Sequence, residues 1–255
     1  MDEASFELTI LTIAFGRGSI TVPCVTSIAA DRSSLCGTRR YAGLMADARQ
    51  RFVRDAVTGW DAVYADDSAP WDIGRPQAAF VRLAEAGEIR SPVLDSGCGT
   101  GEHALMLASR GHEVVGVDLS SVAVARAQSK AAERGLAVRF EVGDVLDMAA
   151  LGRRFATIVD NGVFHVFDDE DRARYVRSLA DAAEPGGTLH LMCFSEHTPG
   201  TTGPRRVTQA ELREAFAVGW RIERIEPAVL EVRPDWAPGP AQAWLAKIVR
   251  LDSAG

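Results

Sequence analysis

The chain has 255 residues, enough for one well-packed domain with an appendage, and its 47% hydrophobic and 25% charged residues are the composition of an ordinary globular protein. Its net charge of −7 argues against a protein whose main partner is nucleic acid or an anionic membrane, because nothing would offset repulsion by phosphates. The four cysteines form no CxxC pair and have no histidine at metal-ligand spacing, which predicts a reduced, cytoplasmic protein without a metal site.

Residues 1–44 differ in character from the rest of the chain. Ser, Thr and Gly are scattered through them without a clean helical or strand period, so we expect a poorly defined N-terminal extension. The apolar stretch FELTILTIAFG is too short to span a bilayer, and it follows an acidic start where a signal peptide would carry positive charge. Neither a membrane span nor a signal peptide is predicted.

Helical periodicity begins near Met45. Apolar residues recur at helical spacing from there as far as Trp60. This pattern predicts that the functional domain covers residues 45–255, with a helical cap over 45–90 and a core over 91–255.

From residue 92 onward, apolar strands alternate with helices. The candidate strands read, in order, PVLDSG, HEVVGVDLS, VRFEVGDV, FATIVDNGVF and GGTLHLMCF. Helices are predicted over EHALMLASRG, SVAVARAQSKAAERG and DDEDRARYVRSLADAAEPGG, the last with acids in its first turn, where the helix dipole favours them. Apolar strands separated by helices are typical of a parallel sheet covered on both faces.

The C-terminal part changes to an antiparallel pattern. Thr208 and Glu211 form a capping-box signature before the helix LREAFAVG. The stretches WRIERIEPAVLEV and AWLAKIVRL alternate apolar and polar residues like an antiparallel pair at a sheet edge. The predicted fold class is therefore α/β: a Rossmann-like, mostly parallel sheet with helices on both faces and a C-terminal antiparallel hairpin.

The turn after the first core strand carries Gly97, Gly99 and Gly101 at alternate positions. A glycine-rich turn between a first strand and a first helix lets a ligand approach the backbone beside a helix N-terminus. Dinucleotide-binding proteins place their third glycine where this chain has Glu102, whose charge would repel a pyrophosphate. A ligand with an amino acid part and no phosphate fits better, and a purely structural tight turn is the alternative.

Signatures in chain order resemble those of the class I S-adenosylmethionine-dependent methyltransferases. The first is an acid-x-Gly-x-Gly-x-Gly motif that starts at Asp95 and contains the three glycines. The second is an acid at the tip of the next strand, Asp118, and the third is the pair Gly143-Asp144 after the strand that follows. The resemblance implies a seven-stranded sheet and S-adenosylmethionine as cofactor, with S-adenosylhomocysteine as product.

The same resemblance implies roles for the cofactor-binding residues. Asp118, followed by Leu119, would accept the ribose hydroxyl protons, while Asp144 would take the adenine amino group and Val145 would pack on the ring. Asp160, at the end of the fourth strand, would meet the amino group of the cofactor. The structural alternatives are a helix N-cap for Asp118 and a turn residue for Asp144. The position of the acids at the carboxyl ends of predicted parallel strands favours binding.

The segment WDIGRPQ, upstream of the first core strand, and the later stretch FHVFDDEDR resemble the thiopurine, thiol and halide methyltransferase branch. Sequences of this type include enzymes that methylate heterocyclic toxins. By this resemblance Trp71 and Ile73 contact the methionine part of the cofactor and the methyl acceptor. The alternative is that Trp71 anchors a helix in the core.

The residues after the fourth strand indicate a small acceptor. This chain lacks the Asn-Pro-Pro-Tyr-like turn that is usual in enzymes acting on nucleic acid bases or protein glutamine, and it has Asn161, Phe164 and His165 there instead. Phe164, Phe167 and His165 are predicted to line a pocket for an aromatic acceptor, and Asn161 is predicted to contact the acceptor and affect its shape. His165 is a candidate general base or orienting group, or alternatively a packed residue. The Gly/Pro-rich loop over residues 195–207 is a candidate lid, in which Arg205 would attract an anionic acceptor or, alternatively, lie exposed.

These observations favour a cytoplasmic enzyme, monomeric or a small homo-oligomer, with no nucleic acid or membrane partner. The predicted reaction is methyl transfer from S-adenosylmethionine to N, O or S of a small molecule, an aromatic heterocycle or a thiol, in a detoxifying role. Two alternatives stay open from the sequence. One is a nicotinamide- or flavin-dependent oxidoreductase, and the other is a module that binds S-adenosylmethionine without catalysis.

Overall fold

The computed structural model describes residues 7–15, 18–26, 56–200, 203–234 and 240–251. The chain divides into two compact units, residues 1–39 and 40–255. In the first unit, strands β1 (Glu7–Phe15) and β2 (Gly18–Thr26) form an antiparallel hairpin that the sequence pattern did not indicate. The domain boundary expected between residues 44 and 45 lies outside the described residues, so it stays a prediction.

The second unit is a seven-stranded sheet with helices packed on it. Its helices are α1 (Ala56–Ala65), α2 (Ala78–Glu85), α3 (Glu102–Ser109), α4 (Ser121–Glu133), α5 (Asp169–Ala182) and α6 (Gln209–Ala215). Its strands are β3 (Val93–Ser96), β4 (Val114–Asp118), β5 (Arg139–Val142), β6 (Phe155–Asn161), β7 (Ala183–Phe194), β8 (Trp220–Leu230) and β9 (Ala241–Arg250). Short 3₁₀ helices, Val145–Leu151 and Phe164–Val166, follow β5 and β6. Among the helices that the structure describes, none has the length and apolar character needed to cross a membrane.

The strands lie in the order β5-β4-β3-β6-β7-β9-β8. Strands β3 to β7 run parallel, and β9 pairs antiparallel with both β7 and β8. This confirms the predicted Rossmann-like sheet with a C-terminal antiparallel hairpin. The chain adds β4 and β5 on one side of β3 and then returns to place β6 on the other side. Such a reversal opens a crevice at the carboxyl ends of the strands, where open α/β sheets bind their ligands.

Both faces of the sheet are buried, as its apolar strands predict. Neighbouring residues Val93 and Leu94 of β3 are both fully buried, and they belong to two separate apolar clusters because side chains alternate between the faces of a strand. One cluster contains Leu105 of α3, and the other contains Leu179 of α5. Because β3 to β7 run parallel, their carboxyl ends meet along one edge of this buried layer.

The ends of α5 and α6 follow local sequence signals. The side chain of Asp168 accepts a hydrogen bond from the backbone N–H of Asp171 at 2.9 Å and so caps α5. The predicted capping box of α6 is confirmed, with Thr208 and Glu211 bonded reciprocally. The helix predicted through residue 187 was too long, because α5 ends at Ala182 and β7 begins at the next residue. Pro185 explains the difference, since a proline disfavours helical conformation in the residue before it.

Candidate active site

The glycine turn after β3 requires glycine for conformational and steric reasons. Gly97, Gly99 and Gly101 have φ angles of +66°, +53° and +86°, a region that residues with a side chain rarely adopt. A Cβ atom on Gly97 would lie 2.2 Å from Cγ2 of Val163, and one on Gly99 would lie 2.8 Å from the hydroxyl of Tyr64. The turn therefore packs directly against the residues after β6 and against α1.

Asp118, the last residue of β4, holds this turn in place. One carboxylate oxygen accepts a hydrogen bond from the backbone N–H of Gly99 at 2.8 Å, and the other accepts from the N–H of Ser120 at 2.9 Å. Burial raises the pKa of Asp118 above its ordinary value, and these two hydrogen bonds oppose that rise. Asp118 also lines the cavity described below, so it both supports the turn and borders the ligand space.

The carboxyl group of Asp95 lies beneath the turn. It accepts a hydrogen bond from the backbone N–H of Ala104, in the first turn of α3, at 3.0 Å. Burial raises the pKa of Asp95 to about 7, and the nearby charges of Asp118 and Asp160 add to the rise. Asp95 does not line the cavity, so the structure places it as a support for the glycine turn and α3.

Asp160 has a similar supporting position at the end of β6. Its carboxylate accepts hydrogen bonds from the backbone N–H groups of Val163 and Phe164, at 2.8 and 3.1 Å, and from the hydroxyl of Tyr175 at 3.0 Å. Burial raises the pKa of Asp160 to about 7. These bonds tie down the 3₁₀ turn after β6, and the residue lies beneath the cavity lining.

One cavity runs along the carboxyl edge of the sheet and encloses ≈ 1010 Å³ including its open mouth. Its lining follows the strand order, from the residues after β5 and β4, past the glycine turn, to the ends of β6, β7 and β8. It is formed by Trp60, Tyr64, Pro70, Trp71, Gly97, Asp118, Leu119, Asp144, Val145, residues 161–163, residues 165–167, Phe194, Pro204, Leu230 and Val232. The structure therefore brings together eight of the residues predicted from the sequence: Trp71, Gly97, Asp118, Leu119, Asp144, Val145, Asn161 and His165.

The part of the cavity above β3 to β5 fits S-adenosylmethionine. The turn at Gly97 offers bare backbone, Asp118 offers carboxylate oxygens to hydroxyl donors, and Leu119 and Val145 supply apolar surface. Asp144 caps the 3₁₀ helix that follows, through a 2.8 Å hydrogen bond from the N–H of Leu146 to one carboxylate oxygen. This set of groups suits a nucleoside with an amino acid tail.

Glu102 does not face the cavity, which corrects one argument made from the sequence. Its side chain is only 8% exposed and is paired with Lys130 at 2.8 Å and with Arg134 at 3.0 Å. These two cations hold the pKa of Glu102 below its ordinary value against the opposing effect of burial. The expected repulsion of a pyrophosphate by Glu102 is therefore largely cancelled, and it is not what discriminates against a dinucleotide.

Three aromatic side chains, from α1 and from the segment after it, form one wall of the cavity. The indole N–H of Trp71 donates a hydrogen bond to the hydroxyl of Tyr64 at 3.0 Å, and the ring of Trp60 packs edge-on to Trp71 at 5.6 Å. Trp60 and Tyr64 were not predicted as site residues, although their i, i+4 spacing on a predicted helix was a usable signal. Ile73, predicted beside Trp71, is not part of the lining.

The acceptor side of the cavity is built by His165, Phe167 and Phe194. Nδ1 of His165 accepts a hydrogen bond from the backbone N–H of Phe194 at 2.8 Å. Burial lowers the pKa of His165 to about 3, and the positive charges of Arg172 and Arg206 contribute. Oδ1 of Asn161 is buried and has no hydrogen-bond partner among the described residues. An unpaired acceptor in the lining marks a place where a ligand donor would fit.

Phe164 and Arg205, both predicted to contact the acceptor, lie elsewhere. Phe164 is fully buried because the 3₁₀ turn directs it into the core, where it stacks on Phe216. The guanidinium of Arg205 forms ion pairs with Asp169 and Glu211. Only its backbone approaches the site, since its N–H donates to the carbonyl oxygen of His165 at 3.1 Å.

Within the described part of the chain, no group of three His, Cys, Asp or Glu side chains is arranged to hold a metal ion. The ionisable side chains of the cavity lining are those of Tyr64, Asp118, Asp144 and His165.

Comparison with known proteins places these features in a family context. A family model described as a methyltransferase domain matches residues 93–187. The chain is 40% identical over 169 residues to a 2-heptyl-1-hydroxyquinolin-4(1H)-one methyltransferase of Mycobacteroides abscessus, covering 65% of this chain and 74% of that protein. It is 29% identical over 160 residues to a probable thiol methyltransferase of Arabidopsis thaliana, covering 62% of this chain and 71% of that one.

One solved structure is similar over most of its length. It comes from work on the conversion of a disulfide bond into a thioacetal group during echinomycin biosynthesis. It superposes with a TM-score of 0.70 at 36% identity, covering 76% of this chain and 93% of that chain.

Proposed function

The chain belongs to the S-adenosylmethionine-dependent methyltransferases, and from that premise we propose that its acceptor is a hydroxylated aromatic heterocycle or an aromatic thiol. The observation that supports this most directly is the single cavity that joins two kinds of lining. Over β3 to β5 it offers glycine backbone and a carboxylate, and beyond β6 it offers aromatic rings. The relative with 40% identity acts on a hydroxyquinolone, a molecule of this class.

We propose the following division of the site residues. Gly97 offers its backbone to the cofactor, and Asp118 accepts hydrogen bonds from its ribose hydroxyls. Asp144 and Val145 contact the adenine, and Trp71 covers the methionine part. Leu119, next to Asp118, packs against the nucleoside. Asp95, Asp160, Gly99 and Gly101 act indirectly, by fixing the turns on which these groups lie.

S-adenosylmethionine supplies, when bound, a methyl group on a positively charged sulfur. The displacement of this methyl needs little covalent help, so the protein contributes by holding the acceptor in line and by excluding water. Phe167 and Phe194 exclude water and offer rings against which a flat acceptor stacks. The hydrogen bond that the backbone N–H of Phe194 donates to His165 fixes the orientation of the imidazole ring in the cavity wall.

The acceptor class also follows from charge. A chain with a net charge of −7 would repel a polyanion, so we propose a freely diffusing small molecule and no nucleic acid or membrane partner. Residues 45–255 are proposed as the catalytic unit. The oxidoreductase alternative is not favoured by the family to which the chain belongs.

The test is titration calorimetry with S-adenosylhomocysteine and with NAD, followed by mass spectrometry of acceptor mixtures. We expect micromolar binding of S-adenosylhomocysteine, no binding of NAD, and methylation of 2-heptyl-1-hydroxyquinolin-4(1H)-one or thiophenol in the presence of S-adenosylmethionine. Methylation of neither acceptor class by a protein that binds the cofactor would refute the proposed acceptor while leaving the family intact.

A further inference from the structure

We propose that His165 is a hydrogen-bond donor, through its Nε2–H group, to an acceptor that enters the cavity already ionised. This inference rests on the proposed function and narrows its substrate class to molecules with an acidic OH or SH group. It assigns His165 an orienting role instead of the role of a general base.

The hydrogen bond at Nδ1 of His165 fixes the tautomer of the ring. The backbone N–H of Phe194 points at Nδ1 of His165 at 2.8 Å, and both residues are buried. An amide N–H can only donate, so Nδ1 must be the unprotonated nitrogen. A neutral imidazole then carries its single proton on Nε2.

The imidazole ring of His165 stays neutral. The charged groups that act on it are Arg172 on α5 and Arg206 on the loop after β7, and both are positive. Together with burial they hold the pKa of His165 at about 3. Asp160, the carboxylate on the preceding strand, is occupied by the N–H groups of Val163 and Phe164 and by Tyr175.

The acidic side chains behind Arg172 do not reverse this balance. Glu211 of α6 lies 3.7 Å from Arg172 and also pairs with Arg205, which engages Asp169 as well. The surroundings of the ring are therefore electropositive, and the ring keeps its proton on Nε2. Such a surrounding favours a bound anion over its protonated form.

Nε2 of His165 lies beside Gly162. A Cβ atom on Gly162 would lie 3.2 Å from Nε2, so the absence of a side chain at that position leaves the nitrogen uncovered. Gly162, His165 and Asn161 all line the cavity. In the part of the chain that the structure describes, no group accepts a hydrogen bond from Nε2. The donor is available to a ligand.

A general base would need the opposite arrangement. For Nε2 to accept a proton, its lone pair must face the cavity, and the proton would then sit on Nδ1 against the N–H of Phe194. With the observed arrangement, the acceptor loses its proton to solvent before it binds. Its lone pair then forms the bond to the methyl carbon, the carbon–sulfur bond breaks with its electron pair left on sulfur, and no proton passes to the protein.

Two substitutions separate the possible roles of the ring. His165→Asn keeps an acceptor for the N–H of Phe194 but offers no donor at the position of Nε2. His165→Gln offers a donor near that position but loses the acceptor for Phe194. Because a hydrogen bond to a charged group is worth about 1.5–3 kcal/mol, losing the donor corresponds to about a 10- to 100-fold effect.

The experiment loads the full chain with S-adenosylhomocysteine and titrates bound 2-heptyl-1-hydroxyquinolin-4(1H)-one with pH, following the absorption change of its hydroxyl group. We expect this hydroxyl to ionise at lower pH when bound than when free. His165→Asn should reduce this difference to the part that the charges of Arg172 and Arg206 cause, and raise KM for the acceptor about 10- to 100-fold, whereas His165→Gln should stay within about tenfold of wild type.

Independent of turnover, ¹⁵N spectra of the imidazole groups should show an unprotonated Nδ1 and a protonated Nε2 for His165, assigned by the signals missing in the variants. A protonated Nδ1 would overturn the inference. The inference would also be overturned if His165→Asn had the KM and bound-acceptor ionisation of wild type while His165→Gln had a raised KM. That result is expected if the ring has a purely structural role. Equal loss in both variants, with disappearance of an acidic limb in kcat/KM, would identify a base.

Failure of the proposed function has a different signature. In that case no hydroxyquinolone or thiophenol is methylated by the wild-type protein, although the ¹⁵N spectra still report the tautomer.

Discussion

The carboxylate of Asp118 at the end of β4 accepts a 2.8 Å hydrogen bond from the backbone N–H of Gly99 in the turn after β3. Through this bond the proposed ribose-binding acid and the glycine turn form one rigid unit. The second carboxylate oxygen of Asp118 is held by Ser120 at the start of α4. Two neighbouring strands therefore present their ligand-binding groups in a fixed relation.

Replacing Asp118 should weaken cofactor binding and the fold together. Asp118→Ala removes the acceptor for two buried N–H groups and for the ribose, and we expect S-adenosylhomocysteine affinity to fall about 10- to 100-fold, as for a lost charged hydrogen bond. Asp118→Asn keeps one acceptor oxygen, so its affinity for S-adenosylhomocysteine should lie between those of wild type and Asp118→Ala. Calorimetric titration measures the effect, and Asp181→Ala, on the exposed surface of α5, is the control that should bind like wild type. Equal affinity of Asp118→Ala and wild type would contradict the assignment.

Adding a methyl group at Gly97 should cost more than adding one at Gly111. Both glycines have positive φ angles, +66° and +87°, so both substitutions carry a conformational cost of about 1–2 kcal/mol. Only at Gly97 does the new Cβ collide, at 2.2 Å from Cγ2 of Val163, whereas nothing lies within 4 Å at Gly111. Overpacking should add about 1–3 kcal/mol of destabilisation in urea unfolding.

The double variant Gly97→Ala/Val163→Ala tests that explanation. If the collision is the cause, removing the valine methyl groups should recover part of the free energy of unfolding. An unchanged or larger loss in the double variant would show that backbone conformation alone decides the cost at Gly97.

The ion pairs of Glu102 should stabilise the fold, while a matched exposed pair should not. Glu102 is 8% exposed and contacts both Lys130 and Arg134, so Glu102→Gln should lower the free energy of unfolding by about 1–3 kcal/mol. Glu85 is 63% exposed and lies 3.7 Å from Arg110, so Glu85→Gln should change it by less than about 1 kcal/mol. Because the pKa of folded Glu102 is lowered, the difference should shrink as pH falls below the ordinary glutamate pKa. Urea unfolding of both variants at pH 7 and at acidic pH measures it.

Asp95 and Asp160 should make the fold less stable as pH rises from about 4 to about 7. Burial raises both folded pKa values to about 7 from 3.8, so in this range the native state binds more protons than the unfolded state, and stability falls with increasing pH. Buried histidines with lowered pKa values, His103, His165 and His190, act in the opposite direction below about pH 6.5. The quantity to follow is therefore the difference in the free energy of unfolding between wild type and a variant that lacks one of these two carboxyl groups.

The substitutions Asp95→Asn and Asp160→Asn remove the titrating group and retain an acceptor oxygen. The stability of each variant relative to wild type should rise between pH 5 and pH 7, as measured by urea unfolding at each pH. Asp181→Asn serves as the exposed control and should give a flat difference. A flat difference for Asp95→Asn as well would mean that this carboxyl titrates normally in the folded protein.

Much of the fold could be predicted because its signals are local. The alternation of apolar strands with helices, the capping box at Thr208 and the antiparallel pattern after residue 220 each lie within a short stretch, and each is confirmed by the structure. Gly97, Asp118 and Asp144 also converge as expected, since the carboxyl ends of parallel strands share one edge. Their positions at or just after the carboxyl ends of strands were enough to predict that they lie close together.

Side-chain direction after β6 could not be predicted in the same way. Phe164 and His165 are neighbours in sequence, yet the 3₁₀ turn buries the phenylalanine in the core and leaves the histidine at the cavity. Phe194 supplies the aromatic surface that was expected from Phe164. It reaches the site because β7 lies beside β6 with Met192 opposite Asn161, a register that no local pattern reveals.

The sequence by itself determined the order of the elements, the glycine turn and the acids at the strand ends, because backbone conformation and strand burial depend on neighbouring residues. Only the tertiary structure decided which groups act at the acceptor end. The proton on His165 is the clearest case: its position is set by the backbone N–H of Phe194, which lies 29 residues away in the chain and is brought to 2.8 Å by strand pairing.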